Sequence, residues 1–116
     1  MKTPSAPKSA LLSAVTALLL GAASPAFAAL DEDAAMALAK KSDCTKCHSV
    51  DKKKEGPPYK ETAAKYKGKA DAVDKLYTHL TTNPKVKVDG KEEEHKGVKT
   101  KDEADIKNLI AYILSR

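Results

Sequence analysis

Apolar and polar residues follow one another along this chain with helical periods and not with the strict alternation of strands. Over positions 30–41 Ala, Leu and Met mix with charges, and Asp31, Glu32 and Asp33 open the run where acids suit the helix dipole, so a first helix is predicted there. Residues 59–66 predict a short helix ended by Gly68. Val73, Leu76, Tyr77 and Leu80 recur at helical spacing over 71–81, until Asn83-Pro84 stops the run. The strongest pattern comes last: Ile106, Leu109, Ile110, Ile113 and Leu114 share one face after Thr100, which reads as an N-cap with Glu103 three residues on. Positions 85–99 keep no period and contain Gly90 and Gly97, so they read as loop, and Val86-Lys87-Val88 is too short and isolated to predict a sheet. The expectation is an all-α domain.

The N-terminus adds an export signal to this picture. Lys2 and Lys8 precede an apolar run over 10–23, and Ala26-Phe27-Ala28 offers the small-residue exit at which a leader is cut. A membrane anchor is the weaker reading, because a span needs about 20 predominantly apolar residues and this stretch is interrupted by Ser13, Thr16, Ser24 and Pro25. Residues 1–28 are therefore expected to be a cleaved signal peptide and residues 29–116 one domain, with periplasmic location and no stable membrane insertion after removal of the leader. Losing Lys2 and Lys8 brings the net charge from +5 to +3. That mild charge, with no basic helix and no interleaved aromatics, argues against nucleic acid as a partner.

Once the leader is gone, no Trp and no Phe remain, and four Tyr supply all the aromatic bulk. A domain of this size is marginal on its own apolar surface, and the run Cys44-Thr45-Lys46-Cys47-His48 shows what could complete it. Two thiols separated by two residues, followed at once by His, form the attachment sequence for haem of the c type. On a turn of helix the thiols reach the two vinyl groups on one porphyrin edge and form thioethers, and His48 lies against the ring as proximal iron ligand. The rival readings ask for more than the chain offers. A thioredoxin-like dithiol expects a βαβ context, and structural zinc needs two further ligands at suitable spacing. The cofactor expected is one covalent haem c with its iron, bound by Cys44, Cys47 and His48.

The order of parts resembles the class I cytochromes c, most closely the small bacterial ones. The resemblance rests on the haem motif after a first helix, on Gly56-Pro57-Pro58-Tyr59-Lys60, and on the final helix ending Leu109-Ile110-Ala111-Tyr112-Ile113-Leu114-Ser115. It implies roughly four short helices wrapped around one haem, as a small single-core domain allows, with N- and C-terminal helices crossing and Ala35 and Ala39 permitting close approach. It also implies that the carbonyl of Pro57 accepts the second ring proton of the proximal histidine, which would fix the tautomer and raise the basicity of His48.

The chain departs from that family at the sixth iron ligand. Such cytochromes usually supply a methionine from the loop before the final helix, and this chain has no Met after the motif. Met36 lies on the first helix, where it reads as core. His95 sits where the methionine is expected, within about one residue of the family position, and imidazole is a good ligand for iron. The iron is thus expected to be held by His48 and His95, with His79, a lysine, water or an open site as alternatives. The resemblance implies a monomeric electron carrier and not an enzyme. Its potential should be lower than that of Met-ligated relatives, and its partners should be periplasmic redox proteins, multihaem cytochromes among the candidates. The alternative is a haem-based binder or sensor of diatomic gases with a displaceable distal histidine.

Overall fold

The computed structural model describes Thr3 and residues 29–116, so the proposed leader lies outside the described residues except at Thr3. Five helices and one hairpin follow in order: α1 Glu32–Lys41, α2 Cys44–Cys47, α3 Tyr59–Tyr66, α4 Ala72–Thr81, β1 Lys85–Val88, β2 Lys91–Glu94 and α5 Glu103–Leu114.

The helical architecture agrees with the expectation and differs from it in three particulars. The attachment motif forms a helical turn of its own, separated from α1 by Ser42 and by Asp43 in the left-handed conformation (φ 61°). The stretch read as loop contains an antiparallel ladder, with Lys85 opposite Glu94 and Val88 opposite Lys91. Its turn is Asp89-Gly90, with φ of 48° and 80°. Both central residues at positive φ is the type I′ turn that matches strand twist. The last helix is capped by Asp102 and not by Thr100: the Asp102 carboxylate accepts from the N–H of Asp105, and the Thr100 hydroxyl accepts from the N–H of Asp102. Asp31 likewise caps α1, accepting from the Ala34 N–H. A carboxylate at each N-cap satisfies an orphan donor and meets the positive end of the dipole.

The core lies where α1, α3 and α4 pack on α5, the most hydrophobic helix. Ile106, Leu109 and Ile110 are fully buried against Ala35, Leu38 and Ala39 of α1. Ala35 and Ala39 are 1% and 0% exposed, so their small side chains let the terminal helices approach closely. Polar ties fix the pair at the middle of α5 and just beyond its C-terminus. Asn108 accepts from the Asp31 N–H and donates to the Asp31 carbonyl, and Arg116 bonds Glu32 at 2.6 Å. Met36 is half-buried and packs on this core, as read from its position on α1. No described helix is long and apolar enough to cross a membrane.

Candidate haem site

Cys44, Cys47 and His48 come from α2 and its C-cap, and the loop 49–58 folds back over them. The Gly56 N–H donates to the Cys47 carbonyl at 2.8 Å, and the N–H groups of Tyr59 and Lys60 donate to the carbonyls of Ser49 and Val50. The Lys54 ammonium donates to the Thr45 carbonyl at 2.8 Å. Lys54 is exposed like Lys52 and Lys53, and its ammonium is partly committed to holding the loop.

Within this frame the imidazole of His48 is held from three sides. Its Nδ1 lies 2.8 Å from the carbonyl oxygen of Pro57. A carbonyl can only accept, so Nδ1 carries the proton and Nε2 keeps a free lone pair. Tyr59 stacks on the ring at 5.8 Å between centroids, with planes 20° apart. Gly56 lies flat against it: a Cβ there would sit 2.4 Å from Cε1 and 2.7 Å from Nδ1 of His48. Gly56→Ala should therefore push the ring off the Pro57 carbonyl and cost about 1–3 kcal/mol, the usual range for overpacking. Chemical denaturation of the holoprotein checks this, and an unchanged midpoint would show that the ring has room to move.

The two thiols are unpaired, and Cys44 packs against the core. Burial pushes both above the ordinary thiol range, and at Cys47 the Glu55 carboxylate 3.3 Å away pushes in the same direction. Reactive dithiols show the opposite shift. That argues against an oxidoreductase and suits thiols meant for permanent alkylation.

His95 enters the same site from the far end of the chain. The ladder places it, since its N–H donates to the Pro84 carbonyl at 2.8 Å just beyond the last strand pair. The following residues are clipped to the end of α4: Gly97 N–H to Asn83 Oδ1 at 2.9 Å and Val98 N–H to the Leu80 carbonyl at 3.0 Å. Gly97 is required by this approach, because a Cβ would meet the Leu80 oxygen and Asn83 Oδ1 at 2.6 Å each. Lys99 then ties the loop to the motif, its N–H donating to the buried Ser42 hydroxyl and its ammonium bonding Asp43 at 2.7 Å. The hydrogen bond from Lys99, with Lys46 assisting, holds Asp43 down to about 2.

The result brings the rings of His48 and His95 to 6.2 Å between centroids. His79 lies beside His95 at 4.3 Å. Burial, with the neighbouring His79 and His48, pushes His95 down to about 4, so at neutral pH its ring is uncharged and can donate a lone pair. His79 is also lowered, chiefly by burial. Ser42, Asp43, Asn83, Gly97 and Lys99 carry no motif; of these Asn83, before Pro84, had a local signal as a helix stop, and Gly97 as a loop glycine.

These residues fit an iron porphyrin. Two thiols stand one helical turn apart at the edge of the site, one imidazole is fixed with its lone pair free, and a second neutral imidazole faces the same space. The comparisons agree. The sequence profile described as "Cytochrome c" matches residues 32–116. The chain is 56% identical to cytochrome c-551 of Allochromatium vinosum over 41 residues, covering 35% of this chain and 44% of that protein. It is 46% identical to cytochrome c-551 of Stutzerimonas stutzeri over 63 residues, covering 54% and 60%. These alignments span less than two thirds of either relative. Among solved structures, class 1 cytochrome MtoD of Sideroxydans lithotrophicus ES-1 is 54% identical with a TM-score of 0.72, covering 75% of this chain and 97% of that one. Cytochrome c552 of Nitrosomonas europaea gives 32% and 0.54, covering 69% and 96%. With the profile running from the first turn of α1 to Arg116, and a solved class 1 cytochrome matched over nearly its whole length, the chain belongs to the cytochrome c family, whose cofactor is one covalently bound haem c.

Proposed function

We propose that this protein is a periplasmic monohaem electron carrier of relatively low potential, exported by a leader over 1–28 that is then removed, and that its iron is held between His48 and His95. Haem supplies the one-electron chemistry when bound. Cys44 and Cys47 anchor it, and His48, tethered through Pro57, presents Nε2 as the proximal donor with its basicity raised.

The observation that carries the distal assignment is the separation of the two rings. An imidazole nitrogen binds a transition metal at about 2 Å, so two imidazoles on opposite sides of one metal have centroids roughly 6 Å apart. His48 and His95 stand at 6.2 Å. With imidazole in place of thioether, the ligand that raises the potential in Met/His cytochromes is missing, and this carrier should lie below them. Substituting His95→Met should raise the potential, and potentiometric titration of the two proteins tests that directly. An equal or lower potential in the variant would count against His95 as ligand.

Gas binding is the weaker reading, because it needs His95 to leave the iron readily. Its backbone is clipped at Pro84, and the segment after it is clipped at Asn83, Leu80 and Ser42. The ferrous spectrum at neutral pH should therefore not shift under carbon monoxide.

Docking to redox partners should be electrostatic. Lys52 and Lys53 follow His48 closely and are exposed. The rate of electron transfer with an acidic partner should fall as salt shortens the Debye length from about 30 Å at 0.01 M to about 3 Å at 1 M. Stopped-flow rates that stay flat across that range would remove these lysines from the docking surface.

A further inference from the structure

The ring of His79 lies 4.3 Å, centroid to centroid, from that of His95. Among the described residues, His95 Nδ1 is the buried side-chain nitrogen or oxygen with no hydrogen-bond partner. A buried donor or acceptor left without a partner is costly to keep. If Nε2 serves the iron, Nδ1 carries the proton and requires an acceptor.

Acceptors of the surrounding loop and of the end of α4 each already take one N–H, and none of them bonds Nδ1. The Pro84 carbonyl takes the His95 N–H, the Leu80 carbonyl takes the Val98 N–H, and Asn83 Oδ1 takes the Gly97 N–H. The ring of His79, half-buried on the last turn of α4, has its centroid 4.3 Å away and its plane tilted 53° to that of His95, and a neutral imidazole offers one nitrogen lone pair as acceptor. At that separation a modest rotation of either ring brings a nitrogen of one within hydrogen-bond reach of the other. The base of α4 is also where the distal loop is clipped, so donor and acceptor are carried on one rigid unit.

We propose that His79 is the positioning residue of the distal ligand: it accepts the Nδ1–H of His95, fixes the tautomer that leaves Nε2 for iron, and sets the plane of the distal ring. This rests on His95 being the sixth ligand. The site then has two polar supports, a backbone carbonyl from Pro57 behind His48 and a side chain behind His95. Such supports orient metal-bound imidazoles and raise their basicity, and losing one typically costs about 10- to 100-fold in metal affinity.

The test uses the holoprotein and two variants, His79→Leu, which fills the space without an acceptor, and His79→Gln, which keeps one. Three readouts apply: the reduction potential, the electron paramagnetic resonance anisotropy of the ferric protein, and the affinity of the ferric protein for cyanide, which competes with the distal ring. His79→Leu should stay low-spin, with changed anisotropy, a raised potential, and cyanide binding about 10- to 100-fold tighter. His79→Gln should return all three toward wild type. Wild-type values in His79→Leu would overturn the proposal, and equal perturbation in both variants would reduce His79 to packing. Failure of the underlying ligation has a different signature: His95→Ala would stay low-spin, and His79→Leu would become high-spin.

Discussion

Replacing Cys44 and Cys47 together with serine should abolish covalent haem and, with it, most of the fold. Acid-acetone extraction of the wild-type protein should leave its colour in the pellet, whereas the double variant should give a colourless chain with little helix by far-ultraviolet circular dichroism. The size of the effect follows from the core. Among the described residues its fully buried large side chains are Ile106, Leu109 and Ile110, its α1 face is largely alanine, and only Tyr59 and Tyr112 add buried aromatic bulk. A domain of this length is marginal even with an ordinary core. Single Cys→Ser variants should retain one thioether or none. Wild-type colour passing wholly into the solvent would exclude the thioethers.

Most of the helical frame was legible because α1, α3 and α4 each bury one stripe against α5, which leaves a period near 3.6 in the sequence. Ile106, Leu109, Ile110 and Ile113 mark that stripe on α5, and Leu76 and Leu80 mark it on α4. The hairpin was missed because its alternation amounts to Val86 and Val88, both only half-buried, while every residue of β2 is exposed. The available signal was Asp89-Gly90, a favoured pair for a type I′ turn. Cys44, Cys47 and His48 stand out in the sequence because the chemistry proposed for them depends on spacing along a single turn. The clips that hold His95 in place, from Gly97 to Asn83 and from Lys99 to Ser42, join residues 14 and 57 positions apart and leave no local pattern.

His95→Ala should open the distal face of the iron. Low-spin protein should become high-spin or water-bound, and the ferrous form should take up carbon monoxide that the wild type refuses. The loop itself should survive, since the bond to Pro84 uses the backbone N–H of residue 95 and the clips at Asn83, Leu80 and Ser42 do not involve the ring. The change should therefore appear in the spectrum far more than in stability. A low-spin spectrum identical to wild type would pass the role to His79 or a lysine.

The central claim, iron held by two imidazoles, is tested most directly by the near-infrared charge-transfer and visible absorption spectrum of the oxidised wild-type protein. Ligation by His48 and His95 predicts a low-spin spectrum with the charge-transfer position of two nitrogen ligands of imidazole type and without the weak far-red band of iron–methionine bonding. That far-red band, a high-spin spectrum, or a charge-transfer position characteristic of amine ligation would contradict it.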